Sequence, residues 1–114
     1  MTGNWSADAD AMTAVVSRKW VVPVLGVLYD GPRRHNDLQR AVGRGIHPTV
    51  LDATLRHLEH AGLVRRDTTP GTPPAAWYQL TDLGWSLVAA LTQMARWVDE
   101  HRAELAALQR WPVR

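Results

Sequence analysis

Residues 31–66 read GPRRHNDLQRAVGRGIHPTVLDATLRHLEHAGLVRR. The stretch predicts two short helices joined by a glycine-bearing turn, followed by a strand that opens with Leu63 and Val64. Its second helix, Pro48 to Ala61, divides by face. Leu51, Leu55 and Leu58 recur at the i, i+4, i+7 spacing of one side of a 3.6-residue helix. Thr49, Ala53, Arg56 and His60 fall on the opposite side. A helix held from behind by leucines, with small, polar and basic side chains in front, is shaped for the DNA major groove.

The local signals around this pair of helices agree with one another. Asn36 is a favourable N-cap for the first, with Gln39 placed to complete a capping box. Leu38 and Val42 carry the apolar side of that helix to Gly43. Ile46 plugs the turn into the core, and Pro48 occupies the first helical position, where its missing N–H costs nothing. Gly62 ends the second helix as the C′ glycine of a Schellman motif, with Leu63 behind it.

Upstream, residues 1–7 are small and polar apart from one tryptophan and read as flexible. A short helix is expected over Asp8–Val16, with Ala9, Met12, Val15 and Val16 on one side. Trp20, Val24, Leu25, Leu28 and Tyr29 form the next apolar set, stopped by Asp30-Gly31-Pro32. Pro23 fits only in a first turn, which places the start of that helix near Trp20. Downstream, short strands are expected at Leu63–Arg66 and Ala76–Leu80. The proline- and glycine-rich DTTPGTPPA between them makes a hairpin loop or wing, about residues 67–75.

Thr81 then caps a long helix, with Asp82 in its first turn. Leu83, Leu87, Leu91, Met94, Val98, Leu105 and Leu108 step along it by threes and fours, His101 filling the one gap. So long a stripe on so small a body is expected to pair with its twin. The predicted fold is therefore mainly α with a small β hairpin: a winged helix-turn-helix, one domain over residues 8–114, ending in a long dimerisation helix.

Composition bounds the rest. The chain has 114 residues, 46% hydrophobic and 21% charged, as in an ordinary globular domain. It has no apolar run of membrane-spanning length and no signal-peptide pattern, so a cytoplasmic protein with no membrane partner is expected. There is no cysteine, which excludes disulfides, thiolate nucleophiles and Cys-based zinc sites. The net charge is only +2, but residues 18–66 hold nine Lys or Arg against four acids, and residues 67–114 four against five. The cationic excess coincides with the elements expected to face DNA.

Taken together, Arg18-Lys19-Trp20, Leu28-Tyr29-Asp30-Gly31-Pro32-Arg33, Asp37-Leu38-Gln39-Arg40, Ile46-His47-Pro48, Leu55-Arg56-His57-Leu58-Glu59, Ala61-Gly62-Leu63-Val64, Tyr78-Gln79-Leu80-Thr81-Asp82-Leu83-Gly84 and Ala95-Arg96-Trp97 carry a family likeness. The chain resembles the HxlR-type winged-helix transcription regulators, relatives of the MarR group, over roughly Ala9 to His101. The resemblance implies a homodimer that binds an inverted-repeat operator in double-stranded DNA. It also marks departures. The family tends to have Phe where His35 stands, Ser where His47 stands, and Arg or Lys where Thr49, Asp67 and Ala75 stand. The N-terminal cysteine that some members use to sense oxidants is absent, Ala7 falling near its place. Fewer cations imply weaker or more narrowly specific DNA binding.

The residues expected to read bases are His47, Thr49, Val50, Ala53 and Arg56. Arg56 can fork onto guanine, and Thr49, Val50 or Ala53 can touch a thymine methyl. Arg33, Arg34, Arg65 and Arg66, at the entrance of the two-helix unit and the base of the wing, are expected on phosphates. Leu83, Leu87, Leu91, Met94, Val98 and Leu105 are the expected dimer contacts. Asp52 lies near the DNA-facing side, where it accepts from a cytosine amine or repels phosphate.

His57 and His60, three apart on one helix, are too few for a metal site. No catalytic constellation and no cofactor are expected. Six tryptophans with no phenylalanine are unusual, and Trp85, Met94 and Trp97 are expected to line an inter-subunit pocket for a small, flat aromatic effector. The same residues leave an alternative open: a small-molecule binding or interaction module on a winged-helix scaffold with weak DNA binding.

Overall fold

The computed structural model describes residues 4–71 and 74–108. In chain order it contains α1 (Trp5–Val16), α2 (Val21–Tyr29), β1 (Arg33–Arg34), α3 (His35–Val42), α4 (Pro48–His60), β2 (Val64–Thr69), β3 (Ala75–Leu80), α5 (Asp82–Glu100) and α6 (Arg102–Leu108). The sheet is antiparallel in the order β1-β3-β2. This is a winged helix-turn-helix, as the sequence implies. The hairpin has gained a third strand, because Arg33 and Arg34 pair with Tyr78 and Trp77.

The core lies between α2, α3, α4 and one face of the sheet. Val21, Val24, Leu25 and Leu28 come from α2, Leu38 and Val42 from α3, and Leu51, Leu55 and Leu58 from α4. Ile46 closes it beneath the turn, while Val64, Tyr78 and Leu80 floor it from the sheet. Tyr78 faces in and Trp77 out, as strand alternation requires.

Both ends of α4 form as the sequence predicts. Pro48 takes the first position, and His47 Nδ1 accepts the Thr49 N–H at 3.2 Å. At the other end the Gly62 N–H reaches Glu59 O at 3.0 Å and the Leu63 N–H reaches Leu58 O at 2.9 Å. Those two bonds define a Schellman motif, and Gly62 supplies the φ of 77° it needs. The same corner is stapled to the start of α5. Thr81 donates its N–H to Leu63 O at 3.1 Å, donates Oγ1–H to Gly62 O at 2.6 Å, and accepts the Gly84 N–H at 3.0 Å.

Four boundaries differ from the sequence reading. Helix α1 starts at Trp5, capped by Asn4 Oδ1 on the Ala7 N–H, so residues 5–7 belong to a helix instead of a flexible tail. The N-cap of α3 is Arg34, not Asn36, because β1 pairing carries the extended chain only to Arg34 before the helix begins. Gln39, freed from the capping box, donates Nε2–H to Ile46 O at 3.3 Å and braces the turn. The strands reach into the expected wing of residues 67–75: pairing runs out to Thr69↔Ala75, and residues 72–73 lie outside the described residues.

The fourth difference is a break in the long helix. His101 takes φ −116° and ψ 23°, and the helical path resumes at Arg102. Its ring stacks on Trp97 with centroids 4.8 Å apart, and Nδ1 lies 2.8 Å from Trp97 O. The His101 N–H still reaches Trp97 O at 3.1 Å and also lies 3.2 Å from Val98 O, a tightened last turn of the kind that ends a helix. Trp111 lies outside the described residues.

Candidate nucleic-acid interface

Helix α4 owes its orientation to the leucines behind it. Leu51, Leu55 and Leu58 are buried, and Thr54 is buried with its hydroxyl donated to Val50 O at 2.9 Å. The opposite side therefore stands clear of the protein. His47, Thr49, Val50, Ala53, Arg56 and His60 are all exposed there. The five residues expected to read bases thus share one continuous surface, beginning at the helix N-terminus.

Asp52 departs from that surface toward α3. Its Oδ1 lies 2.7 Å from Nε2 of His35, a close contact without hydrogen-bond geometry. His57 turns the other way, its Nε2 lying 3.4 Å from Val15 O of α1. The two histidines of α4 thus point to different surroundings, His57 to α1 and His60 to solvent. Among the described residues no three metal-ligating side chains gather.

The four arginines expected on phosphate are not equally free. Arg66 is exposed, and Arg33 curls back, its Nη1 donating to Pro32 O at 3.1 Å. Arg34 lies over the Trp77 ring, 5.1 Å from its centre. Arg65 donates Nε–H to both carboxylate oxygens of Asp67, at 3.2 and 3.1 Å. Asp67 also accepts from Gln79 Nε2 across the strand pair. The Gln79 hydrogen bond, followed by that of Arg65, holds the Asp67 carboxyl below its ordinary pKa of 3.8, against a small opposing effect of burial. So Arg65 enters the site already paired, which the sequence reading did not foresee. The signal available was i, i+2 spacing on a strand, which puts residues 65 and 67 on one face.

The expected dimer contacts divide as well. Leu83 and Met94 are exposed, whereas Leu87 and Leu91 pack partly against this chain's own core. Val98 and Leu105 are half-buried. Within one chain Trp85 and Trp97 do not meet. Trp85 and Trp97, twelve residues apart on one helix, sit about 18 Å apart along its axis at ~1.5 Å per residue. Trp85 packs on Tyr29 instead, ring centres 5.5 Å apart, beside an apolar recess of about 190 Å³. Val22, Gly26, Val88 and Leu91 line that recess, while Met94 and Trp97 do not.

Comparison with known proteins agrees with this geometry. The HxlR-like helix-turn-helix family matches residues 15–106. YvaP of Bacillus subtilis (strain 168), described as an HTH-type transcriptional regulator, is 33% identical over 86 residues, covering 75% of this chain and 79% of that protein. A solved structure from Enterococcus faecalis V583, described as a transcriptional regulator of the MarR family, superposes with a TM-score of 0.82 at 30% identity, covering 95% and 97% of the two chains. The redox regulator HypR, in its reduced form, also reaches 0.82 at 29% identity, covering 88% and 98%. Lacking cysteine, this chain has no thiol through which to sense an oxidant. The chain belongs to the HxlR-like helix-turn-helix family of DNA-binding transcription regulators.

Proposed function

We propose that the protein acts as a homodimer on an inverted-repeat operator, in the cytoplasm, with α4 of each protomer in a major groove and the wing against the backbone. The observation that carries this reading is the exposed surface of α4, where His47, Thr49, Val50, Ala53 and Arg56 stand clear opposite three buried leucines. Arg56 forks onto a guanine, the smaller side chains meet bases edge-on, and Arg33, Arg34, Arg65 and Arg66 hold phosphates.

Dimerisation is supported by apolar surface that a single chain leaves open. On α1 the stripe Trp5, Ala9, Met12, Val16 follows one face, and none of it is fully buried. On α5 Leu83, Met94 and Trp97 are exposed, Met94 at 62%. Two-fold pairing of these helices sets the recognition helices about 34 Å apart, or a multiple of it, and fixes the half-site spacing.

Selection from a random duplex pool by the purified protein tests the reading. An enriched inverted repeat, with affinity falling steeply as salt rises, is the expected result. Salt-sensitive binding with no enriched sequence overturns it.

A further inference from the structure

The residue before α4 carries a second polar atom for which the fold has no use. His47 Nδ1 accepts the Thr49 N–H at 3.2 Å. A backbone N–H can only donate, so Nδ1 carries no proton. A neutral imidazole then carries its single proton on Nε2, as a donor. The ring is exposed, at the N-terminal end of the surface that holds Thr49, Val50, Ala53 and Arg56, and its Nε2 meets no partner among the described residues. A serine here would cap the same turn and reach no further. The imidazole caps with one nitrogen and extends a fixed donor past the cap with the other.

We propose that His47 is a specificity-determining residue that donates Nε2–H to the N7 of a purine in each half-site. The proposal rests on the DNA reading above and adds the atom, its sense as a donor, and the class of base. In the major groove N7 of guanine and adenine accepts, as do guanine O6 and thymine O4, while the cytosine amine donates, so a donor with no accepting capacity opposes cytosine at its position, and N7 is the one acceptor that both purines present. Residues at the start of a recognition helix are those that reach base edges in this motif. Capping makes the selection sharper. The bond that stabilises the helix also fixes the tautomer, so the donor cannot become an acceptor without losing the cap.

The test uses the full chain and the operator obtained by duplex selection. Each purine of a half-site is replaced in turn by its 7-deaza analogue, which substitutes C–H for N7. Wild type and His47→Ser are compared on every duplex. Serine keeps a capping acceptor and ends short of the position of Nε2. The expected result is one position per half-site at which the 7-deaza base weakens wild type about tenfold, as befits a directional base contact. At that position His47→Ser binds both duplexes equally, and its thermal midpoint matches wild type. His47→Thr, another capping residue without a distal donor, gives the same pattern and stands in if the serine variant folds poorly.

If the variants bind the operator as tightly as wild type, or lose affinity uniformly with every 7-deaza substitution still felt, the purine contact is overturned; uniform loss identifies a phosphate contact. A selection that enriches no sequence removes the DNA reading first, and is distinguishable because it precedes any His47 variant.

Discussion

Two parts of this chain obey different rules. In the body formed by α2, α3, α4 and the sheet, every element contributes to one buried core, and Val21, Val24, Leu25, Leu28, Leu38, Leu51 and Leu58 have no solvent exposure. In the arms formed by α1, the distal part of α5 and α6, no residue is buried: α1 and α6 have none, and α5 has none after Val88. Yet the arms carry large apolar side chains in the open. Trp5, Met12, Met94 and Trp97 line them, Trp5 at 58% exposure. The body satisfies its apolar pattern alone, whereas the arms are patterned for something outside the chain.

The sharpest way to break the body is at its junction with the arm. Gly84 opens α5 against the end of the recognition helix, and a Cβ there would stand 2.1 Å from Leu63 O. That carbonyl is backbone and already accepts the Thr81 N–H, so it has little room to yield. Gly84→Ala is expected to cost about 3 kcal/mol, the upper end for overpacking, read as a lowered urea midpoint with an unchanged slope. In the arm, Met94→Glu should do the reverse. It leaves protomer folding nearly intact but loses about 1.5 kcal/mol of apolar burial per copy. Over a two-fold interface the dimer dissociation constant then rises about 100-fold, measurable by sedimentation at several concentrations. An unfolded Met94→Glu protomer would show that the arm belongs to the body after all.

Within the DNA-facing surface the same comparison can be drawn between two arginines. Arg56 has no protein partner among the described residues, while Arg65 is held by Asp67. Arg56→Ala is expected to lower affinity for the selected operator by about 1–3 kcal/mol and to relax preference at one position. Arg65→Ala should act more weakly and mainly flatten the salt dependence. Equal losses on every duplex for Arg56→Ala would make it a phosphate contact.

The body was largely legible in the sequence because its signals are local. Pro48 and Gly62 bracket α4, the leucine spacing fixes its buried side, and Thr81 announces α5, all within a few residues of the features they specify. What escaped depends on pairing across the chain. A two-residue strand at Arg33–Arg34 has no periodicity to detect; it exists because β3 presents an edge, and it takes the cap of α3 away from Asn36. The Arg65–Asp67–Gln79 cluster needs the register Arg65↔Gln79, which no local rule supplies. The break at His101 was hidden by reading the stripe straight through it, although the backbone there leaves the helical region at φ −116° and ψ 23°. The contact of Trp85 with Tyr29 is likewise non-local, adjacent only once α5 packs on α2.

That wing cluster yields the smallest expected effect, and its sign follows from the lowered pKa of Asp67. Folding holds the Asp67 carboxyl below its ordinary value of 3.8, first through Gln79 and then through Arg65. The unfolded chain therefore binds the proton more readily than the folded one. The cluster's contribution to stability is fully present above the unfolded value and is lost as pH falls through the lower, folded value. Because the group is open to solvent, screening keeps the effect small. Thermal midpoints of wild type and Asp67→Asn, taken from pH 5 downward, should converge below the ordinary carboxylate range, with wild type the higher above it. The same variant frees Arg65, so at neutral pH it should bind non-specific duplex more tightly and with a steeper salt slope. If Asp67→Asn changes the acid limb but not the salt slope, Arg65 does not reach the backbone even when released, and the wing stands away from the phosphates.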